Sequence, residues 1–299
     1  MNVVTPKGYK VLDEQYVVNR KTGEISEYTA VAMPCDGSNF QTMEDKKRKR
    51  IAQQKRQEQE MKRNRCEETY YFVNRETCFE DVSPAAVTKL IYLSTYMRYD
   101  GNCLMLSQRK AMKREDIAGL LGISNRAYYD FWNEVCPVYV TEDENGFLHM
   151  CDIFKRGKLC RKAFTPYQQF YDKGVRKLYK AANGKHHKQL GYLFKLLPYI
   201  SIEFNLVCFN PLETDINSVE LMSIADFCNV IGYTTAHIDR LLKVYNEVRF
   251  DVNGRQERFC TMIYNGIDKQ NAKICINPSI LYAGTNSGRV EVTRLYFLD

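Results

Sequence analysis

Apolar positions follow two periods along this chain, and the switches between them mark its elements. In the stretch DIAGLLGISNRAYYDFW, residues 116–132, they recur at helical spacing on either side of Gly122. Two helices joined by so short a turn must approach closely where they cross. Ala118 offers the small side chain for that crossing, and Gly122 the left-handed backbone of the turn. Ile123 then plugs the core, and Ser124 caps the second helix. Tyr128, Phe131, Trp132 and Val135 share its inward face, leaving Asn125, Arg126, Tyr129, Asp130 and Asn133 outside.

The same pattern returns further on. CNVIGYTTAHIDRLL, residues 228–242, aligns with AGLLGISNRAYYDFW, residues 118–132, at an offset of 110. Cys228 takes the small-residue place, Gly232 the turn, and Ser223 with Asp226 forms a capping box for the first helix. Thr234 is expected to cap the second helix, with Ile238, Leu241, Leu242 and Tyr245 facing inward. Thr235, Ala236, Asp239, Arg240 and Lys243 then face outward, with His237 at the margin. Upstream of each motif, KLIYLSTYMRYDGNCLM (89–105) matches YLFKLLPYISIEFNLVC (192–208) at an offset of 103, the difference being an insertion around NPLETDINS. Downstream, each copy runs into strands with Asn-Gly breaks: Asn145-Gly146 in the first, Asn253-Gly254 and Asn265-Gly266 in the second. Each closes on an apolar residue and a glycine, IFKRG to Gly157 and ILYAG to Gly284. The order helix, strand, helix, turn, helix, hairpin, met twice, describes two winged-helix domains in tandem.

Ahead of the repeats, YVVNRKTGEISEYTAV (16–31) alternates on both sides of a turn at Thr22-Gly23, which predicts strand–turn–strand. Residues 46–65, KKRKRIAQQKRQEQEMKRNR, have helix formers but no apolar stripe and no sustained heptad. They are expected to be an exposed helix or linker. The expected fold class is α+β: a β-hairpin region (1–45), a basic helix or linker (46–69), and winged-helix domains at 70–160 and 161–299.

Charge sharpens this picture. The net charge is +7, yet residues 46–65 hold ten Lys/Arg against two Glu, and residues 155–195 hold twelve against Asp172. Everything else is therefore acidic on balance. Basic stripes beside an acidic remainder point to a polyanion, here double-stranded DNA. The longest apolar run, from Leu190, is broken by Lys195 and Pro198, so no membrane span is expected. MNVVTPKGYKV has no hydrophobic signal core, and the expected compartment is the cytoplasm. The 11 cysteines include no CxxC pair and read as small buried residues. His149, Cys151 and Cys160 lack a second ligand pair, so neither a metal nor a cofactor is expected.

Enzyme chemistry fits poorly. His186 and His187 are adjacent, without the spacer that a rolling-circle nicking site needs. Around Gly184-Lys185 the P-loop positions hold Tyr179 and His186. No catalytic residues are assigned and no small-molecule substrate is expected. The DNA-binding candidates are instead Ser124, Asn125, Arg126 and Tyr129, with Thr234, Thr235 and His237 in the second copy; Tyr129, Thr235 and His237 suit bases or phosphates. Arg126 suits guanine and Asn125 adenine. Arg240, Lys243, the wing residues Lys155, Arg156, Lys158, Arg255 and Arg258, and the run Lys46, Lys47, Arg48, Lys49 and Arg50 suit phosphates.

The repeated plan with its FKRG and INPSILYAG exits resembles winged-helix replication initiators of plasmids and phages, both RepL-type proteins and Rep proteins with two winged helices. The resemblance covers about residues 80–290 as architecture. It implies a protein that binds origin DNA and recruits replication machinery, without chemistry of its own; the expected partners beside DNA are replication proteins or a second copy of the chain as a dimer. A transcription regulator of a mobile element would have the same parts. So would a non-catalytic phage module that uses winged helices to dock proteins.

Overall fold

The computed structural model describes residues 9–11, 16–19, 21–22, 25–27, 48, 51–52, 69–99, 101–157, 167–252, 254–264, 271–284 and 295–297. The chain divides into two units, 1–57 and 58–299. In the first, the predicted strand–turn–strand is present as β2 (Tyr16–Asn19) and β3 (Ile25–Glu27), antiparallel, with β1 (Tyr9–Val11) on the other side of β2. Arg48, Ile51 and Ala52 are helical and exposed.

The second unit mixes α-helices with small antiparallel sheets. Strand β4 (Tyr70–Asn74) leads to α1 (Pro84–Ser94), whose first turn is capped by Ser83 Oγ accepting from Ala86 N and started by Pro84. The hairpin β5 (Met105–Ser107) and β6 (Lys110–Ala111) follows, then α2 (Asp116–Leu121) and α3 (Asn125–Val135). A strand pair, β7 (Val140–Glu142) with β8 (Leu148–Met150), and β9 (Phe154–Lys155) close the first copy.

The second copy opens with β10 (Tyr167–Tyr171), α4 (Asp172–Ala182) and α5 (His187–Phe194). Where the first copy has β5 and β6, it has residues 209–221, with a 3-10 turn at Ile216–Ser218. It continues with α6 (Ile224–Val230), α7 (Ile238–Glu247), β11 (Arg249–Val252), β12 (Arg255–Arg258), β13 (Cys260–Ile263) and β14 (Lys273–Ile276). The β13–β14 pair occupies the place of β7–β8, and the β11–β12 hairpin is extra.

Main-chain bonds recur at equivalent places in the two copies. Met105 N donates to Tyr96 O and Cys208 N to Tyr199 O, both at 2.8 Å. Met150 N reaches Asn102 O, and Ile276 N reaches Asn205 O, both at 2.9 Å. Cys151 N donates to Tyr139 O and Asn277 N to Phe259 O, which fixes the same exit from each strand pair. No side-chain likeness is needed for this repetition, because all of these donors and acceptors are main-chain groups that burial obliges to pair.

The copies are joined by their first strands. β4 and β10 run antiparallel with Phe72 opposite Gln169, and these two residues hold equivalent places in their copies. On the outer edges Val73 pairs with Phe154, and Phe170 with Leu281. The sheet is thus close to two-fold symmetric about its central strand pair. Below it α1 crosses α5 at equivalent residues: Thr88 Oγ1 donates to His187 O at 2.7 Å, while Gly191 lies on the Pro84 carbonyl. A Cβ at position 191 would overlap that carbonyl oxygen, so only glycine allows the crossing. One hydrophobic core runs from Tyr71 through α1 and α5 to Leu281. Among the described residues, no helix is long and apolar enough to cross a membrane.

Candidate nucleic-acid interface

The first turn motif is built as its spacing predicts. Gly122 ends α2 with a φ of 64°, and Ile123 N donates back to Ala118 O at 3.1 Å. Ser124 Oγ accepts from Ala127 N at 3.3 Å and so caps α3. Tyr128, Phe131, Trp132 and Val135 are buried, which turns Asn125, Arg126, Tyr129, Asp130 and Asn133 to solvent. Tyr129 is 56% exposed, a large aromatic ring left in water on the outward face of the helix.

The second motif repeats the geometry with different side chains. Gly232 has a φ of 66°, and Tyr233 N donates to Cys228 O at 2.8 Å. The capping box is present: Ser223 Oγ accepts from Asp226 N at 3.1 Å, and Asp226 Oδ2 accepts from Ser223 N at 2.9 Å. The Ser223 hydroxyl, which donates to Asp226 Oδ2 at 2.6 Å, and then the Ser223 main-chain N–H hold the Asp226 carboxyl below its ordinary range. Thr234 departs from expectation. Its side chain caps nothing; Thr235–His237 form a 3-10 turn first, and α7 begins only at Ile238. The expected inward residues Ile238, Leu241, Leu242 and Tyr245 are all buried, and Thr234, Thr235, His237, Arg240 and Lys243 are all exposed. Lys243 lies 3.8 Å from Glu247 across one helical turn.

Arg156 sits where a phosphate contact would have to break the fold. Its side chain is 11% exposed and ion-paired to Asp172. Its Nη1 also donates to Met97 O and to Thr95 O, and its Nε to Tyr70 O. The guanidinium therefore ties the exit of the first copy to β4, to the turn after α1 and to the first residue of α4 rather than pointing outward. Lys155, its neighbour, is exposed, with Nζ 5.5 Å from the Tyr167 ring centre. Arg255 is exposed on β12, and Arg258 is half-buried. Lys46, Lys47, Lys49, Arg50 and Lys158 lie outside the described residues, and Arg48 is exposed. His149 Nε2 lies 3.1 Å from Asp143 Oδ2 in the β7–β8 turn, and among the described residues no group of side chains could hold a metal ion.

Reasoning from sequence missed a basic shoulder beside α3. Arg109, Lys110, Lys113 and Arg114, in the run QRKAMKRED, are exposed between β5 and α2. The Arg114 guanidinium lies 5.0 Å over the Trp132 ring, and its Nε donates to Tyr128 Oη at 2.8 Å. This places a fixed cation next to Tyr129, whose ring centre is 5.3 Å from that of Tyr128. The signal was the density of basic residues just before the helix cap. A fixed guanidinium, an exposed tyrosine and the N-terminal end of a helix can together hold a phosphate and reach a base edge.

Comparison of the chain with models of protein families, with curated proteins and with solved structures gave no match.

Proposed function

We propose that the chain is a sequence-specific double-stranded DNA-binding protein built of two winged helices, acting at an origin of replication of a phage or plasmid. The observation that carries this reading is the turn motif met twice. In each copy a left-handed glycine and a main-chain bond back to the small residue set two helices at an angle. In each the second helix buries its apolar face and leaves a polar N-terminal face in solvent, the arrangement by which such a helix enters a major groove. The two-fold relation of the copies supports a target with two half-sites. In this reading Asn125, Arg126 and Tyr129 read bases, and Arg114 and Lys155 hold the backbone. Recruitment of replication proteins is the role that the resemblance to initiators favours.

The test is binding to duplexes drawn from the protein's own locus and from random pools at several salt concentrations. Arg126→Ala should relax preference at one base pair at a cost of about 1–3 kcal/mol. Absence of any salt-dependent duplex binding would refute the proposal.

A further inference from the structure

The approximate two-fold symmetry fails most clearly between the first strand of each copy and the equivalent helices α1 and α5. In the second copy that place is filled by α4 and the turn after it; in the first it is a connection without a helix, residues 75–83. Charge differs too. The first-copy connection exposes Glu76, Glu80 and Asp81, whereas α4 exposes Lys173, Lys177 and Lys180. Those three lysines fall at i, i+4 and i+7, one stripe on the helix surface. Lys185 and Lys188, just beyond, are exposed as well.

The helix is held rigidly under that stripe. Val175, Leu178, Tyr179 and Ala182 are buried. The Tyr179 ring stacks on Tyr92 with centres 4.0 Å apart, and its hydroxyl donates to Leu121 O at 2.9 Å. Leu121 is the last residue of α2, so α4 is bonded directly to the turn of the first motif. On its other flank Lys177 pairs with Asp251 of β11 at 2.7 Å, while Lys173 and Lys180 make no ion pair among the described residues. The basic shoulder Arg109–Arg114 approaches the same motif from the other side in sequence. The corresponding stretch of the second copy carries Glu213, Asp215 and Glu220 instead.

We propose that the Lys173–Lys177–Lys180 face of α4 is a phosphate-backbone contact beside the first turn motif, which seats the chain on duplex DNA by its first copy and in one direction. The inference rests on the DNA-binding reading given above. From Lys173 to Lys180 the helix rises about 10 Å, close to the axial length of roughly three phosphates of one strand. A symmetric pair of copies would bind in either sense. A lysine stripe on one side and carboxylates at the equivalent place break that degeneracy.

The experiment compares the full chain with K173Q/K177Q/K180Q on a mixed-sequence duplex of about 30 bp, measuring affinity against salt. The variant's log–log slope should be shallower by about 0.9 for each phosphate that is no longer neutralised, about 1.8 for Lys173 and Lys180 and up to about 2.7 where phosphate displaces Asp251 from Lys177. K173R/K177R/K180R should keep the wild-type slope, and both variants should match the wild type in circular dichroism and melting. A slope unchanged in the glutamine variant would overturn the inference and leave the DNA-binding reading standing. Loss of self-association with an unchanged slope would also overturn it and assign the stripe to the acidic connection of a second copy. No duplex binding by the wild type would overturn both.

Discussion

Asp172→Asn tests how the two copies are locked together. The carboxylate is 6% exposed and its Arg156 partner 11% exposed, so both charges are largely withdrawn from bulk water. Burial pulls the Arg156 guanidinium below its ordinary value, yet it stays protonated at neutral pH. Removing its counter-charge leaves a buried cation facing only the carbonyls of Tyr70, Thr95 and Met97. Such a loss costs about 3–5 kcal/mol. With about 2–4 °C per kcal/mol for a unit of this size, the melting midpoint should fall by about 10 °C. The pair is imperfect, because Asp172 Oδ1 has no partner among the described residues. Replacing both residues in R156M/D172L should therefore cost less than D172N alone, since a buried pair recovers little of its desolvation penalty. Urea unfolding of the wild type, R156M, D172L and R156M/D172L closes the cycle, with an interaction energy of about 2 kcal/mol expected. A D172N variant within about 1 kcal/mol of wild type would refute the clamp. So would an R156M variant that unfolds normally but binds DNA with a shallower salt dependence.

Gly191→Ala should destabilise the second unit by more than the ordinary cost of about 1–3 kcal/mol for an overpacked core, because the obstructing atom is the Pro84 main-chain oxygen and cannot rotate away; thermal melting checks this. Ser223→Ala should cost about 1 kcal/mol and raise the Asp226 carboxyl toward its ordinary value, read by carboxyl NMR titration. Because Asp226 is held low in the folded chain, its share of stability is present above the unfolded carboxylate value of about 3.9 and is lost as pH falls through the folded one. His187 should make the protein acid-sensitive at a higher pH. It is buried, its Nε2 lies 3.0 Å from Tyr179 O, and burial lowers its proton affinity below the ordinary 6.5. Below about pH 6.5 the unfolded chain takes up a proton that the folded chain refuses, so stability should decline from there downward. His187→Gln should flatten that stretch of the profile of urea midpoint against pH.

Much of each turn motif is legible in the sequence because local rules fix it. A left-handed glycine, a small residue four places before it and an apolar stripe with helical period are all short-range signals, and every expected inward residue of α3 and α7 is buried. The sheet that joins the copies is not legible. TYYFVN and YQQFY are short, and β4 pairs with a strand that lies far along the chain, beyond the whole of the first copy. Nothing local specifies that partner. Helix α4 is hidden for a different reason. Val175, Leu178, Tyr179 and Ala182 have the i, i+3, i+4, i+7 spacing of a packed helix, but they sit in a stretch so basic that charge masks the period. Arg156 is masked by the same run of charge. It lies two residues after buried Phe154, and strand alternation puts it on the inner side.

What the copies share and where they differ bears on function more than either copy alone. Several main-chain bonds are common to both, down to the exit pairs Cys151–Tyr139 and Asn277–Phe259. The outward residues of the second helices share almost nothing: Asn125, Arg126 and Tyr129 stand where the other copy has Thr235, Ala236 and Asp239. A fold repeated only for stability has no need to hold a polar face clear of its core twice, and a surface used twice for one target would repeat its side chains. Two like frames with two different faces fit a single chain that meets unlike half-sites. Under the proposed DNA-binding function, the basic shoulder and lysine stripe would make the first copy the tighter contact, and the acidic surroundings of the second would limit it to a weaker one.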